Sequence, residues 1–223
     1  MADRSFHRYS TAFPAGLARP TDRVELGPDV SAEITRRLLG DLADRRVLEL
    51  GCGMGHTAVA MARAGARVTA IDPDDGELRH GRDLAHEHEV SVEWRSGDLA
   101  DLAFLPAEGF DLVVAVHSLA ATDHAERVMR QVHRTLRPGG ALVVSMPHPV
   151  AALFDPFDDE PDRVVRGYFD REPVGSGPSL THRYTVGDLF SALVRSDFRV
   201  DTLVETGPPG AAVPSTLVLR AKT

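Results

Sequence analysis

Residues 46–73, RVLELGCGMGHTAVAMARAGARVTAIDP, join an apolar run rich in β-branched residues, a glycine turn, a helical run and a second apolar run. The turn holds Gly51, Gly53 and Gly55 at alternate positions. Glycines in such a turn let the backbone bend tightly and approach a ligand closely. The helix that follows offers free N–H donors at its start. The stretch therefore predicts a strand–turn–helix–strand unit that binds a nucleotide-like ligand.

Strand-like and helical patterns alternate along the rest of the chain. Apolar runs of strand length lie at 46–50, 67–71, 90–94, 110–116, 141–146, 198–205 and 215–221. Helical patterns lie at 29–43, 56–64, 75–88, 123–136 and 186–196. Such alternation is typical of βαβ units whose parallel sheet is covered on both faces. We expect an α/β, Rossmann-like, doubly wound sheet of seven strands, mostly parallel, with an antiparallel C-terminal edge strand and a lid insertion. The segment RPGG (137–140) is expected to end a helix and turn into the next strand.

The chain of 223 residues is expected to form one domain, because a single α/β core can reach this size. Residues 1–28 are polar and broken by Pro and Gly, which is typical of an arm or lid and not of a core element. Residues 29–146 carry the ligand-binding core. Residues 147–183 contain six prolines and are too long for an ordinary connection, so they predict a cap insertion. Residues 184–223 supply a C-terminal helix and a strand pair.

Composition argues against several classes of partner and compartment. The net charge is −8 and no basic block occurs, which disfavours nucleic acid as a partner. Cys52 is the single cysteine, so no intrachain disulfide can form and a reducing, cytoplasmic setting is expected. The N-terminus has no apolar signal core, and no apolar run approaches the ~20 residues that span a bilayer. No metal is expected, since neither an H-E-x-x-H motif nor Cys/His ligand spacing occurs.

The glycine spacing distinguishes between two kinds of nucleotide site. A dinucleotide fingerprint, G-x-G-x-x-G, needs a glycine at position 56, where this chain has His56. The observed form, E-x-G-x-G-x-G over residues 49–55, resembles motif I of the class I methyltransferases that use S-adenosylmethionine (SAM). Later segments resemble the other motifs of that family, in order: VTAIDP, WRSGDLADL, FDLVVAVHSLAATD, HRTLRPGGALVVSMPHP and SDFRVDTLVE. The resemblance covers roughly residues 24–221.

The resemblance implies SAM as cofactor, S-adenosylhomocysteine as product, and a set of binding positions. The implied SAM-binding residues are Glu49, Gly51, Cys52, Gly53, Gly55, Asp72, Pro73, Asp98, Leu99 and His117. By the resemblance, Asp72 meets the ribose hydroxyls, Asp98 the adenine amine and the Leu99 backbone N–H the adenine ring. Other roles stay open: Asp72 as a helix cap, Asp98 as a turn residue, and Glu49 as a buried acid satisfied by backbone N–H groups. Cys52 is expected to be small and packed, not a nucleophile.

Three histidines are candidate general bases. His117 and His148 follow predicted strands at the carboxyl edge, and His182 closes the proline-rich insertion. An imidazole that titrates near neutrality can remove a proton from an acceptor. The alternative is that each histidine binds backbone or SAM without transferring a proton.

The insertion also carries acids and aromatic residues. Its acids are expected either to attract a cationic acceptor or to form a solvated loop: Asp155, Asp158, Asp159, Glu160 and Asp162. Its aromatic residues are expected either to line an acceptor pocket or to pin the insertion to the sheet: Phe154, Phe157, Tyr168 and Phe169.

The sequence and the resemblance together predict methyl transfer from SAM to an O, N, S or C nucleophile of a small molecule by in-line displacement. The alternative is a SAM-binding protein of other function, either a sensor or an enzyme of another SAM-supported reaction. A nicotinamide-dependent oxidoreductase is disfavoured by His56. A nucleic-acid methyltransferase is disfavoured by charge and because the fourth-strand segment reads VHSLA, not D/N-P-P-Y/F. A monomer or a homodimer is expected.

Overall fold

A seven-stranded sheet runs through the centre of the computed structural model, which describes residues 19–27, 29–154, 163–174 and 180–223. The strands are β1 (Arg46–Leu50), β2 (Arg67–Asp72), β3 (Val92–Ser96), β4 (Phe110–Val116), β5 (Leu136–Pro147), β6 (Arg199–Thr206) and β7 (Thr216–Lys222). Their order is β3-β2-β1-β4-β5-β7-β6. Neighbouring strands from β3 to β5 pair in parallel, whereas β7 is antiparallel to both β5 and β6. This arrangement confirms the predicted fold class.

Helices cover both faces of the sheet. They are α1 (Ala32–Leu39), α2 (His56–Arg63), α3 (Asp75–Glu87), α4 (Ala125–Thr135) and α5 (Val186–Arg195), with 3₁₀ turns at Leu119–Ala121 and Ala151–Leu153. One core cluster joins α1, α2 and α3 to one face, and a second joins α4 and α5 to the other. Successive residues of a strand point to opposite faces, so Val47 enters the first cluster and Leu48 the second. Two covered faces explain why the central strands are apolar at consecutive positions.

Several element boundaries differ from the sequence prediction. The C-terminal pair lies at the sheet edge as expected, but its antiparallel member, β7, is the inner strand, and β6 forms the edge. Helix α1 covers only part of 29–43, because the Ser31 side chain caps its start and Gly40, at φ +71°, ends it. The RPGG segment was expected to be a turn, yet it lies inside β5. There it produces a register shift opposite Phe110–Leu112, with Gly139 at φ +72°.

The strand order reverses between β1 and β4, and this point positions the candidate site. In an open parallel sheet, the crevice beyond the carboxyl ends of the strands at such a reversal receives the ligand. The loop 51–55 leaves β1 there, and His117 leaves β4. Asp72 ends the neighbouring strand β2. The loop 51–55, Asp72 and His117, which the sequence predicted to bind SAM, therefore lie at the ends of adjacent strands.

The described part of the N-terminal arm packs against the core, although the sequence predicted an arm or lid and not a core element. Leu26 is fully buried within the cluster that contains α1, α2 and α3. The Thr21 hydroxyl lies 2.9 Å from Nε2 of His88, and Arg63 Nη1 donates to the Thr21 carbonyl at 3.1 Å. These contacts hold residues 19–27 beside α2 and α3.

The cap, the described residues of 147–183, is held by backbone contacts within itself and to the turn that follows β4. Isolated β-bridges pair Phe154 with Val164 and Val174 with Thr181. The His182 N–H donates to the Ala120 carbonyl, which follows β4, at 2.8 Å. The five acids expected to attract a cationic acceptor, and Phe157, lie outside the described residues.

Candidate functional site

The glycine loop is tied to the end of β2 by backbone hydrogen bonds. The N–H groups of Gly51 and Cys52 both donate to the Ile71 carbonyl, at 2.8 and 3.0 Å. The Gly55 N–H closes the turn on the Cys52 carbonyl at 2.9 Å. The loop between β1 and α2 is therefore held in one shape by the strand beside it.

The three glycines of the loop all have positive φ but face different surroundings. A Cβ on Gly51 would lie 2.2 Å from Cβ of Ser118, and one on Gly55 would lie 2.5 Å from the Trp94 ring. A Cβ on Gly53 would meet nothing closer than Oε2 of Glu77, at 3.8 Å. Packing accounts for Gly51 and Gly55, whereas Gly53 leaves an open side on which a ligand can approach the backbone.

Asp72 connects the glycine loop to the start of α3. Its Oδ2 accepts from the Gly53 N–H at 2.8 Å, and its Oδ1 accepts from the Asp74 N–H at 3.0 Å. The helix cap itself is Asp74, which accepts from the N–H groups of Gly76 and Glu77. The alternative that Asp72 caps α3 is therefore wrong. A carboxylate has about four acceptor sites, so Asp72 can still accept from ribose hydroxyls; Pro73 beside it is exposed.

Asp98 and Leu99 follow β3 next to the loop. Oδ1 of Asp98 accepts from the Ala100 N–H at 2.8 Å, which is the turn role that the sequence left open. Leu99 is buried, and its Cδ1 would lie 3.4 Å from a Cβ on Gly51. The segment 98–99 thus borders the crevice, and the adenine contact stays a prediction.

Glu49 is a buried acid with one oxygen unsatisfied. Its side chain is 2% exposed, and burial raises its pKa to about 8, with Asp72 adding to the rise. The positive charge of Arg19 and the backbone N–H of Ala58 oppose the rise. Oε2 accepts no hydrogen bond within the part of the chain that the structure describes. A buried polar atom without a partner suits a ligand donor, so backbone N–H groups satisfy Glu49 only in part.

Arg19 is a site residue that sequence reasoning missed. Its Nη2 donates to Oγ1 of the buried Thr57 at 3.1 Å. Burial lowers the pKa of Arg19, and the charges of Glu49 and Glu25 act against that decrease. The arm thereby brings a guanidinium to the start of α2. One arginine among several in a polar arm carries no sequence signal for this placement.

Cys52 is packed, as the sequence predicted. Its side chain is buried, and burial together with the charges of Glu49 and Asp72 raises the pKa of the thiol. The thiolate is the nucleophilic form of cysteine, so this environment disfavours Cys52 as a nucleophile.

His117 lies on the floor of the crevice at the end of β4. Its backbone has φ +60°, and its N–H donates to the Ser145 carbonyl at 2.8 Å. Next to it, Oγ of Ser118 donates to the Leu50 carbonyl at 2.5 Å and joins β4 to β1. Burial, aided by the charge of Arg19, lowers the pKa of His117 to about 3. The ring is therefore neutral near pH 7 and a weak base.

His148 is buried with both ring nitrogens engaged. Nδ1 accepts from the Val150 N–H at 3.1 Å, which leaves the proton on Nε2 to be donated to Oε1 of Glu205 at 2.7 Å. Burial lowers the pKa of His148, and Glu205 opposes that decrease. This geometry corresponds to the alternative in which the histidine holds backbone, because neither nitrogen is left to take a proton from an acceptor.

His182 lines a small cavity between the end of β5 and the cap. The cavity measures about 30 Å³, and its walls include Met146, Pro147, Tyr168, His182, Arg183 and Tyr184. The Tyr184 hydroxyl donates to the Thr122 carbonyl, and burial raises the pKa of Tyr184 to about 12. Phe169 does not line it and is 79% exposed. The crevice with its loop and this cavity adjoin neighbouring strand ends of the sheet.

Two further features, a metal-holding cluster and a membrane-spanning helix, concern the described residues alone. Across 19–27, 29–154, 163–174 and 180–223, no cluster of three His, Cys, Asp or Glu side chains is placed to hold a metal ion. Among the helices of those same ranges, none is both long and apolar enough to cross a membrane.

Known proteins match the central part of the sequence. Residues 47–140 match the family model described as a methyltransferase domain. The chain is 37% identical to a ubiquinone biosynthesis O-methyltransferase of Xanthomonas oryzae pv. oryzae over an alignment of 114 residues. This alignment covers 51% of this chain and 48% of the relative. The chain thus spans about half the length of the curated relatives it matches.

Solved structures match over most of the chain. A SAM-dependent methyltransferase from Mesorhizobium loti superposes with a TM-score of 0.71 at 25% identity, covering 89% of this chain and 100% of the other. The cyclase SpnF superposes with a TM-score of 0.69 at 20% identity, covering 97% of this chain and 86% of the other. The second likeness shows the fold alone.

Proposed function

We propose that this chain transfers a methyl group from SAM to a small molecule, on the basis of the methyltransferase-domain match over residues 47–140 and the likeness to a solved SAM-dependent methyltransferase. The observation that carries the proposal is the crevice between β1 and β4. There an open glycine backbone, a strand-end aspartate and a buried carboxylate with one unsatisfied oxygen lie together. The family supplies the identity of the ligand, and these residues fit it.

Each part of the crevice suits a different part of SAM. We assign the ribose to Asp72 and the adenine to Asp98 and the Leu99 backbone, as the family resemblance implies. The open side of Gly53 admits the ligand against the loop. Oε2 of Glu49 is a buried acceptor for the ammonium group of the methionine end. Arg19, which carries a positive charge beside Glu49, suits the carboxylate of the same end.

When bound, SAM supplies a methyl group on a positively charged sulfur, which a nucleophile displaces in line. The chain's task is then to align the two reactants and exclude water. Alignment of this kind accounts for about 7–11 kcal/mol of barrier reduction in well-oriented reactions. We propose that the arm, which contacts α2 through Arg19, and the cap, which lines a cavity at the end of β5, provide the exclusion of water.

A hydroxyl is the first acceptor class to test. The relatives matched over half of this chain are named O-methyltransferases. The family match ends at residue 140, so we propose that the cap, which follows, selects the acceptor. His182 is our candidate general base, a role worth about 10²–10⁴-fold in rate. His148, whose ring nitrogens are bonded to Val150 and Glu205, and His117, which is buried with a lowered pKa, are assigned no proton transfer.

A SAM-binding protein without methyl transfer is the second candidate. SpnF, titled a cyclase, shares this fold over 97% of the chain. Incubation with SAM and a panel of phenols, catechols, amines and thiols separates the two candidates. Formation of S-adenosylhomocysteine with any member supports transfer, and SAM binding without turnover across phenols, amines and thiols supports the second candidate.

Calorimetric titration with SAM, S-adenosylhomocysteine and NAD tests the donor site directly. We expect micromolar binding of both SAM species and none of NAD. Asp72→Ala should abolish this binding, because it removes the proposed ribose acceptor and the tie to Gly53. Asp74→Ala is the matched control: it removes an exposed helix cap two residues away and should leave affinity intact. Binding of NAD alone would contradict the proposal.

A further inference from the structure

The cavity beneath the cap contains an arginine whose burial is unusual for so polar a residue. The Arg183 side chain is 5% exposed and lines the cavity next to His182. Its Nη2 donates to the Gly167 carbonyl at 2.9 Å. Its Nη1 is buried and makes no hydrogen bond of good geometry within the described chain. A buried guanidinium N–H without a well-aligned acceptor is unfavourable, so the site favours an anion whose oxygens align with Nη1 better than those of its ion-pair partner, Asp170.

Most other polar groups of the cavity wall already have hydrogen-bond partners within the protein. The Tyr184 hydroxyl donates to the Thr122 carbonyl, and both ring nitrogens of His148 have partners. The Tyr168 hydroxyl accepts from the Val186 N–H at 3.1 Å. By comparison, the Nη1 group of Arg183 and the imidazole of His182 retain hydrogen-bonding capacity toward a ligand.

Asp170 is the present counter-ion of Arg183, and it is the exposed member of the pair. Its Oδ2 lies 3.1 Å from Nη1, and its side chain is 38% exposed against 5% for Arg183. Oδ1 of Asp170 accepts from the Glu172 N–H, a contact within the cap. Water solvates the Asp170 carboxylate well when it leaves the pair, whereas the buried guanidinium needs a replacement anion.

Resting on the methyltransferase function proposed above, we propose that the acceptor is a hydroxy acid whose carboxylate binds Arg183 while its hydroxyl faces His182. The planar guanidinium matches a carboxylate through two parallel hydrogen bonds. The cavity of about 30 Å³ has room for about one water molecule. This volume admits only the carboxylate end of the acceptor, which replaces the carboxylate of Asp170 beside Arg183.

The test compares each acid with its neutral amide on protein saturated with S-adenosylhomocysteine. The probes are 2-, 3- and 4-hydroxybenzoate and 3,4-dihydroxybenzoate, each beside the corresponding benzamide, with dissociation constants measured by calorimetry. We expect at least one acid to bind about 10–100-fold more tightly than its amide, the range for a hydrogen-bonded charge pair. A panel in which no acid binds more tightly than its amide overturns the proposal.

Three variants assign the preference to Arg183. Arg183→Gln should abolish the acid-over-amide preference. Arg171→Gln, which removes a cap arginine paired with Asp188 outside the cavity, should retain it. Asp170→Asn removes the competing carboxylate and should tighten acid binding, so the proposal stays testable if Arg183→Gln does not fold. A preference that persists in Arg183→Gln, or one that Asp170→Asn weakens, overturns it.

The same samples distinguish this proposal from the donor-site proposal. Affinity for S-adenosylhomocysteine should be equal in the wild type and in all three variants, because none of the residues changed lines the glycine loop. Intact donor binding with no acid preference rejects the hydroxy-acid acceptor alone. Loss of donor binding in the wild type rejects the methyltransferase function itself.

Discussion

Gly53 and Gly55 lie two positions apart in one loop, and alanine should affect them differently. At Gly53 the cost of positive φ is about 1–2 kcal/mol, and the new methyl group projects into open space where SAM should bind. At Gly55 the methyl group also overlaps the Trp94 ring, so the cost rises to about 2–5 kcal/mol. Gly53→Ala should weaken S-adenosylhomocysteine binding more than tenfold with modest loss of stability, whereas Gly55→Ala should mainly destabilise the fold. Denaturant unfolding with calorimetry checks both; the reverse pattern would contradict the assignment.

The buried Glu49 predicts a pH dependence of protein stability that can be measured without any ligand. Its pKa is about 8 in the folded chain against 4.5 ordinarily, so between those values only the folded state keeps the proton. The contribution of Glu49 to the free energy of unfolding is complete below pH 4.5. It falls by about 1.4 kcal/mol per pH unit as pH rises from there through the folded pKa of about 8. Glu49→Gln cannot titrate and should therefore gain stability relative to wild type as pH rises from 5 to about 8.

Free energies of unfolding at pH 5, 6.5 and about 8 measure this difference. Arg19 and Asp72 are the charged groups that act on Glu49, and both remain in the variant. Glu33→Gln, at an exposed position of α1, is the matched control. Parallel pH curves for wild type and Glu49→Gln would disprove the buried, protonated carboxyl.

At the scale of elements, the start of α5 determines how the cap returns to the sheet. Thr185 and Asp188 form a reciprocal capping box directly after His182, Arg183 and Tyr184. Thr185→Ala should lower stability by about 1 kcal/mol and increase amide exchange across 180–189. Ser31→Ala removes an equivalent cap hydrogen bond from α1 and should cost about the same without affecting that segment.

Hydrogen exchange read by mass spectrometry, together with denaturant unfolding, distinguishes the two cap variants. Equal exchange in 180–189 for both would mean that the capping box does not hold the cap. That result would also weaken the view that His182 and Arg183 keep fixed places on the cavity wall.

At the scale of the whole molecule, we expect the sheet to bind SAM and the cap to select the acceptor. The family match lies in 47–140, within the sheet and its helices, and the cap follows it. Replacing 147–183 with the corresponding segment of a structurally similar methyltransferase should change acceptor choice and leave SAM affinity within about twofold. Activity on an acceptor panel and calorimetry with SAM measure the two effects. Loss of SAM binding in the chimera would contradict this division.

Much of the fold and of the donor site followed from local patterns. The apolar runs at 46–50 and 110–116 match β1 and β4 to the residue, because strand length and residue type are visible over a few positions. The spacing of Gly51, Gly53 and Gly55 likewise indicated a turn, which the structure has between β1 and α2; its ligand stays a prediction. The sequence did not predict the register shift at RPGG within β5, because a register depends on the pairing with the neighbouring strand β4.

By itself, then, the sequence determined the alternating architecture, the glycine loop and the strand-end acids, since each depends on neighbours along the chain. Only the tertiary structure decided what those residues face. It paired His148 with Glu205, 57 positions away, and so left His182 as the candidate base. It also brought Arg19 to Thr57 and buried Arg183 beneath the cap. Burial and charge at a side chain depend on segments that only folding brings together, and they control protonation and binding.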